Sequence, residues 1–126
     1  MSEIRILVCG DRNWTDADRI KDMLSLLVSL AKVAGESVAV IQGGCRGADI
    51  IGRAAALDLG CYVEQYDADW DLHGKAAGPI RNLKMIEDGK PDLALVFHTD
   101  LFKSKGTKNM VKLLKKHKAP YVIVDH

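Results

Sequence analysis

Short apolar runs alternate with amphipathic helical stripes along the whole chain, and few folds accommodate that alternation. Residues 4–9, 38–41, 61–64, 93–97 and 121–124 read as strands, the first with the apolar density of a strand buried on both faces. Between them lie four helical patterns. Thr15-Asp16-Ala17-Asp18 reads as a capped start with Thr15 as N-cap, followed by Ile20, Met23, Leu24, Leu27, Val28 and Ala31 and closed by Gly35. Ala48, Ile51, Gly52, Ala55 and Leu59 make a second stripe of mostly small residues, suited to close packing on a sheet. A polar connection over residues 66–78 leads to Pro79, expected in the first turn of a third helix with Ile80, Leu83 and Ile86. Gly106-Thr107 opens the fourth, apolar at Met110, Val111, Leu113 and Leu114, with lysines mostly outward. Such βα units predict an α/β fold: an open, Rossmann-like parallel sheet of about five strands in the order 3-2-1-4-5, with helices on both faces.

At 126 residues the chain fits one domain, expected to span residues 1–126. Its net charge of +1 argues against a duplex-binding module driven by bulk electrostatics. No apolar run approaches the roughly 20 residues that span a bilayer, and the first residues lack a signal-peptide plan, so no membrane association is expected. Cys9, Cys45 and Cys61 have neither CxxC spacing nor an even count. The expectation is a reducing cytoplasm, small buried cysteines, no metal and no cofactor.

In an open parallel sheet ligands bind beyond the carboxyl ends of the strands, where the strand order reverses. Three segments fall there. Gly10-Asp11-Arg12-Asn13-Trp14 offers Arg12 for a phosphate, Asp11 for a ribose hydroxyl and Trp14 either for stacking on a flat ring or for covering the first helix. Gly43-Gly44-Cys45-Arg46-Gly47-Ala48-Asp49 joins a strand to a helix through glycines, a phosphate-friendly turn with tight packing as its rival. It matches neither the dinucleotide nor the P-loop pattern. Asp49 either caps the helix or contacts a sugar, while Arg46 faces ligand or solvent. Ser104-Lys105-Gly106-Thr107 is either a third cradle or a capped helix start. Lys75, Arg81 and Asn82 add anion-friendly groups around Pro79. Trp70, between Asp69 and Asp71, suits a lid, a dimer contact or packing. His73 reads as a loop histidine, and His98 ends a strand near the crevice.

These motifs together resemble the YspA-type branch of the SLOG superfamily, related to LOG phosphoribohydrolases and DprA/SMF proteins. The matching residues are Gly10-x-Arg12-x-Trp14, the segment 43–49, Ala68-Asp69-Trp70, the segment 74–82 and Gly106-Thr107. The resemblance implies a nucleotide-derived ligand, such as a nucleoside monophosphate or an ADP-ribose-like molecule, and a homodimer or higher homo-oligomer. It marks Gly10, Asp11, Arg12, Trp14, Gly43, Gly44, Arg46, Gly47, Asp49, Lys75, Arg81, Asn82, Ser104, Gly106 and Thr107 as the expected ligand-binding set. The phosphoribohydrolases carry PGGxGTxxE, whose glutamate serves glycosidic cleavage. Here Met110 stands at that position and Lys103-Ser104 replaces the paired glycines. A methionine cannot move a proton or stabilise an oxocarbenium ion. Binding is therefore the first expectation, with an N-glycosidase using Arg81 or Asp11 as the alternative. Single-stranded nucleic-acid binding is disfavoured by near-neutral charge and few aromatics.

Overall fold

The computed structural model describes residues 2–98 and 104–125. The strands are β1 (Glu3–Gly10), β2 (Ser37–Gln42), β3 (Tyr62–Gln65), β4 (Leu93–Phe97) and β5 (Tyr121–Val124). They form one sheet in the order β3-β2-β1-β4-β5, with all four pairings parallel. Ile6 of β1 registers with Val40 of β2 and Leu93 of β4. The helices are α1 (Ala17–Val33), α2 (Ala48–Asp58), the single turn α3 (Trp70–His73), α4 (Ala77–Glu87) and α5 (Lys105–Lys116).

Successive side chains of a strand point to opposite faces, and both faces of this sheet are covered. Ile6 and Val8 pack under α1 and α2 with Ile20, Leu24, Ala55 and Ala56. Leu7 and Cys9 pack under α4 and α5 with Met85, Ile86, Met110 and Leu114. That double burial explains why β1 reads as a nearly unbroken apolar run. The small residues of α2 do what their size suggests: a β-carbon on Gly52 would stand 2.7 Å from a Val8 methyl. The lysines 108, 112, 115 and 116 of α5 are exposed, opposite its buried Met110 and Leu114.

Three helix starts differ from expectation. Asp16, rather than Thr15, caps α1, because the helix begins at Ala17 and the Arg19 amide then reaches the Asp16 carboxylate at 3.1 Å. Ser104 caps α5, its hydroxyl accepting from the Thr107 amide at 3.2 Å, so the helix opens at Lys105. The polar connection folds further than anticipated. Asp69 caps α3, and the 3-10 turn Gly74–Ala76 runs directly into α4, which starts at Ala77 and keeps Pro79 in its first turn, as expected. Among the described residues, no helix is long and apolar enough to cross a membrane.

Candidate functional site

The chain leaves β1 towards one face of the sheet and β4 towards the other, so a crevice opens between their carboxyl ends. A cleft of about 710 Å³ occupies this position. Gly10, Asp11 and Arg12 reach it from the end of β1, and Arg46 and Asp49 from the start of α2. Lys75, Arg81 and Asn82 contribute from the segment around α4. Ser104, Gly106 and Thr107 close it from the start of α5. Trp14, Gly43, Gly44 and Gly47 belong to the expected set but do not line the cleft.

Their exclusion has physical causes. Trp14 turns into the core, where it is 2% exposed, packs edge-on against Phe97 with centroids 5.5 Å apart, and donates its indole N–H to the Asp16 carbonyl. Its ring serves packing, and the expectation of stacking on a ligand is corrected to that extent. The glycine turn is likewise committed inward. The Asp49 carboxylate accepts from the amides of Gly43 at 3.1 Å and Cys45 at 3.3 Å. The Gln42 side chain accepts from the Gly44 amide at 2.6 Å. The Ala48 amide, at the first residue of α2, donates to the Asp11 carbonyl. Gly47 has φ 80°, and a β-carbon there would collide with the backbone of Asp11 and Arg12. Within this turn, the amides of Arg46 and Gly47 keep no internal partner among the described residues. Tight packing, the rival reading of this motif, accounts for most of it.

Arg81 and Asp49 form the buried support. Arg81 donates from Nη1 to the Gly43 carbonyl at 2.7 Å and from Nε to the Asn82 side chain at 3.0 Å, and its Nη2 lies 3.7 Å from Cys45 Sγ. Burial pushes the Asp49 carboxyl up to about 6, against the opposing pull of the Cys45 and Gly43 amides and the Arg81 and Arg12 charges. Asp49 therefore anchors the turn that precedes its own helix; Gly47 occupies the N-cap position. Asn82 in turn donates to the Gly106 carbonyl at 3.3 Å and the Asn109 side chain at 3.0 Å, tying α4 to the start of α5.

The more open groups are those with fewer protein partners. Arg12, Lys75 and Lys105 are exposed cations on the cleft, and among the described residues Arg46 reaches only the Asn13 side chain, at 3.3 Å. Asp11 accepts from the Asn13 amide at 2.8 Å and lies 4.0 Å from the buried His98 ring. Met110 is buried on the cleft floor, so no carboxylate occupies that position. Cys9 and Cys45 both border the cleft, and burial raises the Cys9 thiol well above its ordinary value. Phe102 and Lys103, the remainder of the compared motif, lie outside the described residues. Among the described residues, no group of three or more His, Cys, Asp or Glu side chains is placed to hold a metal ion.

Several contributors lie outside the expected ligand-binding set: Gln42, Asn13, Asn109 and the rim residue Trp70, the last read from sequence as a lid, a dimer contact or packing. Gln42 had a usable signal. It is a polar residue ending an apolar strand, is fully buried, and bridges the Gly44 amide to Gln65.

A profile of the YspA, cpYpsA-related SLOG family matches residues 4–73. The "Gene 61 protein" of Mycobacterium phage D29 is 33% identical over 123 residues, covering 94% of each chain. The chain belongs to the YspA, cpYpsA-related SLOG family. This SLOG chain also shares its fold with DNA processing protein A (DprA) from Streptococcus pneumoniae, at TM-score 0.54 and 15% identity, over 96% of this chain and 58% of that one. A putative UDP-N-acetylglucosamine 2-epimerase from Listeria monocytogenes aligns at TM-score 0.52 and 14% identity, over 98% of this chain and 32% of the other. The SLOG chain thus spans little more than half of the first solved relative and a third of the second. The family profile covers the cleft wall built from β1, α2 and Trp70, while the walls from α4 and α5 lie beyond it.

Proposed function

We propose that the cleft binds a phosphorylated, nucleotide-derived ligand, of the size and charge of a nucleoside monophosphate or an ADP-ribose-like molecule. The observation that carries this reading is the charge pattern: Arg12, Arg46, Lys75, Arg81 and Lys105 converge on a cleft whose described carboxylates are Asp11 and Asp49. A concentration of cations at a switch point favours a phosphate over a neutral sugar. Gly106 supports the same reading. It lines the cleft, has no positive φ, and has nothing within 4 Å of where a β-carbon would stand. Neither backbone nor packing requires glycine there, and a close ligand approach would. Asp11, beside Arg12, is the open carboxylate suited to a ribose hydroxyl. Residues 1–126 act in this reading as one ligand-binding domain, and light scattering with and without ligand tests the homo-oligomer that the family resemblance implies. Calorimetry across AMP, ADP-ribose, cyclic ADP-ribose isomers and NAD tests the binding itself. Micromolar binding of at least one is the expected result, and uniform absence sinks the proposal.

One observation favours an N-glycosidase as the second reading: Asp11 and His98 lie 4.0 Å apart on the cleft. Asp49 is too fully engaged, and Met110 is chemically inert, so Asp11 would have to supply the acid–base or charge-stabilising group. Incubation with AMP or NAD followed by chromatography for free base separates the readings. Base release that vanishes in Asp11→Asn would establish the enzyme.

A further inference from the structure

Of the two tryptophans, Trp70 borders the cleft while Trp14 is sealed in the core. Trp70 is 50% exposed and stands on α3, a single turn with no buried residue, followed by a 3-10 turn that also buries none. An apolar ring left half in water forgoes about half of what its full burial would contribute to folding. Its turn is nevertheless well anchored, since the Asp69 carboxylate accepts from the Leu72 amide at 3.0 Å. A β-carbon on Gly78 would stand 3.5 Å from Trp70 Cη2, so the edge of the indole lies against the start of α4. The other aromatic ring among the described lining residues is His98, whose side chain is 4% exposed. Trp70 is therefore the aromatic surface that the cleft holds open to a ligand.

We infer that Trp70 sets the ligand specificity of the cleft: its indole stacks on the flat heteroaromatic ring of the ligand, while the cleft cations hold the phosphate. The site then selects base-bearing phosphates over sugar phosphates that lack a base. Aromatic stacking suits this role because every nucleobase presents a flat π-face, whatever its hydrogen-bonding edge. The inference rests on the nucleotide reading given above.

The test compares wild-type protein with Trp70→Ala and Trp70→Phe, using AMP, NAD, ADP-ribose and ribose 5-phosphate as probes in calorimetry. Trp70→Ala should weaken the base-bearing probes that bind at least about tenfold and leave ribose 5-phosphate unchanged, with Trp70→Phe in between. Ligand-dependent tryptophan fluorescence should disappear in Trp70→Phe, because the remaining Trp14 is shielded in the core. Unaltered nucleotide affinity in Trp70→Ala overturns stacking while leaving the nucleotide reading intact. Equal losses for nucleotide and ribose 5-phosphate also overturn it, since Trp70 would then act through the loop. Failure of every base-bearing probe to bind wild-type protein overturns both.

Discussion

Two helix starts border the same cleft and are built in opposite ways. The turn before α2 has three glycines and turns the amides of Gly43, Gly44 and Cys45 inward, to Asp49 and Gln42, with Arg81 gripping the Gly43 carbonyl. The start of α5 has one glycine, a local Ser104 cap and open space above Gly106. The richer glycine motif is the more structural of the two. A glycine count is thus a poor guide to ligand contact; what each amide and each missing β-carbon already touches is the better one.

The contrast can be broken most forcefully at Arg81. Arg81→Ala removes the cation beside buried Asp49 and strips partners from Gly43 and Asn82, so a loss of about 3–5 kcal/mol is expected. Urea unfolding measures it, and a loss below about 1 kcal/mol would mean that the α2 turn does not depend on its clamp. Asp49 provides a pH test of the same support. Folding raises its pKa from 3.8 to about 6, so its stabilising contribution is complete below about pH 4 and lost as pH rises through about 6. That loss amounts to about 3 kcal/mol relative to Asp49→Asn, whose side-chain oxygen still accepts from the turn. Parallel stability profiles for the two proteins between pH 4 and pH 7 would contradict it. Taking the difference cancels the contributions of the titrating groups common to both.

Gly47→Ala should cost about 2 kcal/mol, from a left-handed backbone and contact with the chain at Asp11 and Arg12. Gly106→Ala sharpens the opposite side of the contrast. Its thermal midpoint should stay level or rise slightly, since alanine favours a helix by up to about 1 kcal/mol over glycine. Its affinity for AMP should nevertheless fall several-fold. A variant that folds and binds as well as wild type would place the ligand elsewhere in the cleft.

Most of the fold was legible because its signals are local. Residues 4–9 announce a strand covered on both faces, 93–97 announce another strand, and the βα alternation leaves a parallel sheet as the simplest arrangement. The position of the cleft followed from the same logic, since described residues past β1, β2 and β4 all border it. The hydrogen-bond partners within it were not legible. Whether the Gly44 amide is available depends on Gln42, and the grip on Gly43 comes from Arg81, 38 residues away. The tryptophans show the same limit. Each is an aromatic in a polar loop, and only the packing of Phe97 beside Trp14 separates the core ring from the rim ring.

Arg81 and Asn82 are neighbours in sequence, yet one holds the β2–α2 turn and the other holds the start of α5. Consecutive α-carbons stand about 3.8 Å apart and cannot stretch. This dipeptide therefore acts as a gauge block between two walls. Both walls are thus tied to one peptide unit of α4, so a displacement of α4 at this point bears on the β2–α2 turn and on the start of α5 together.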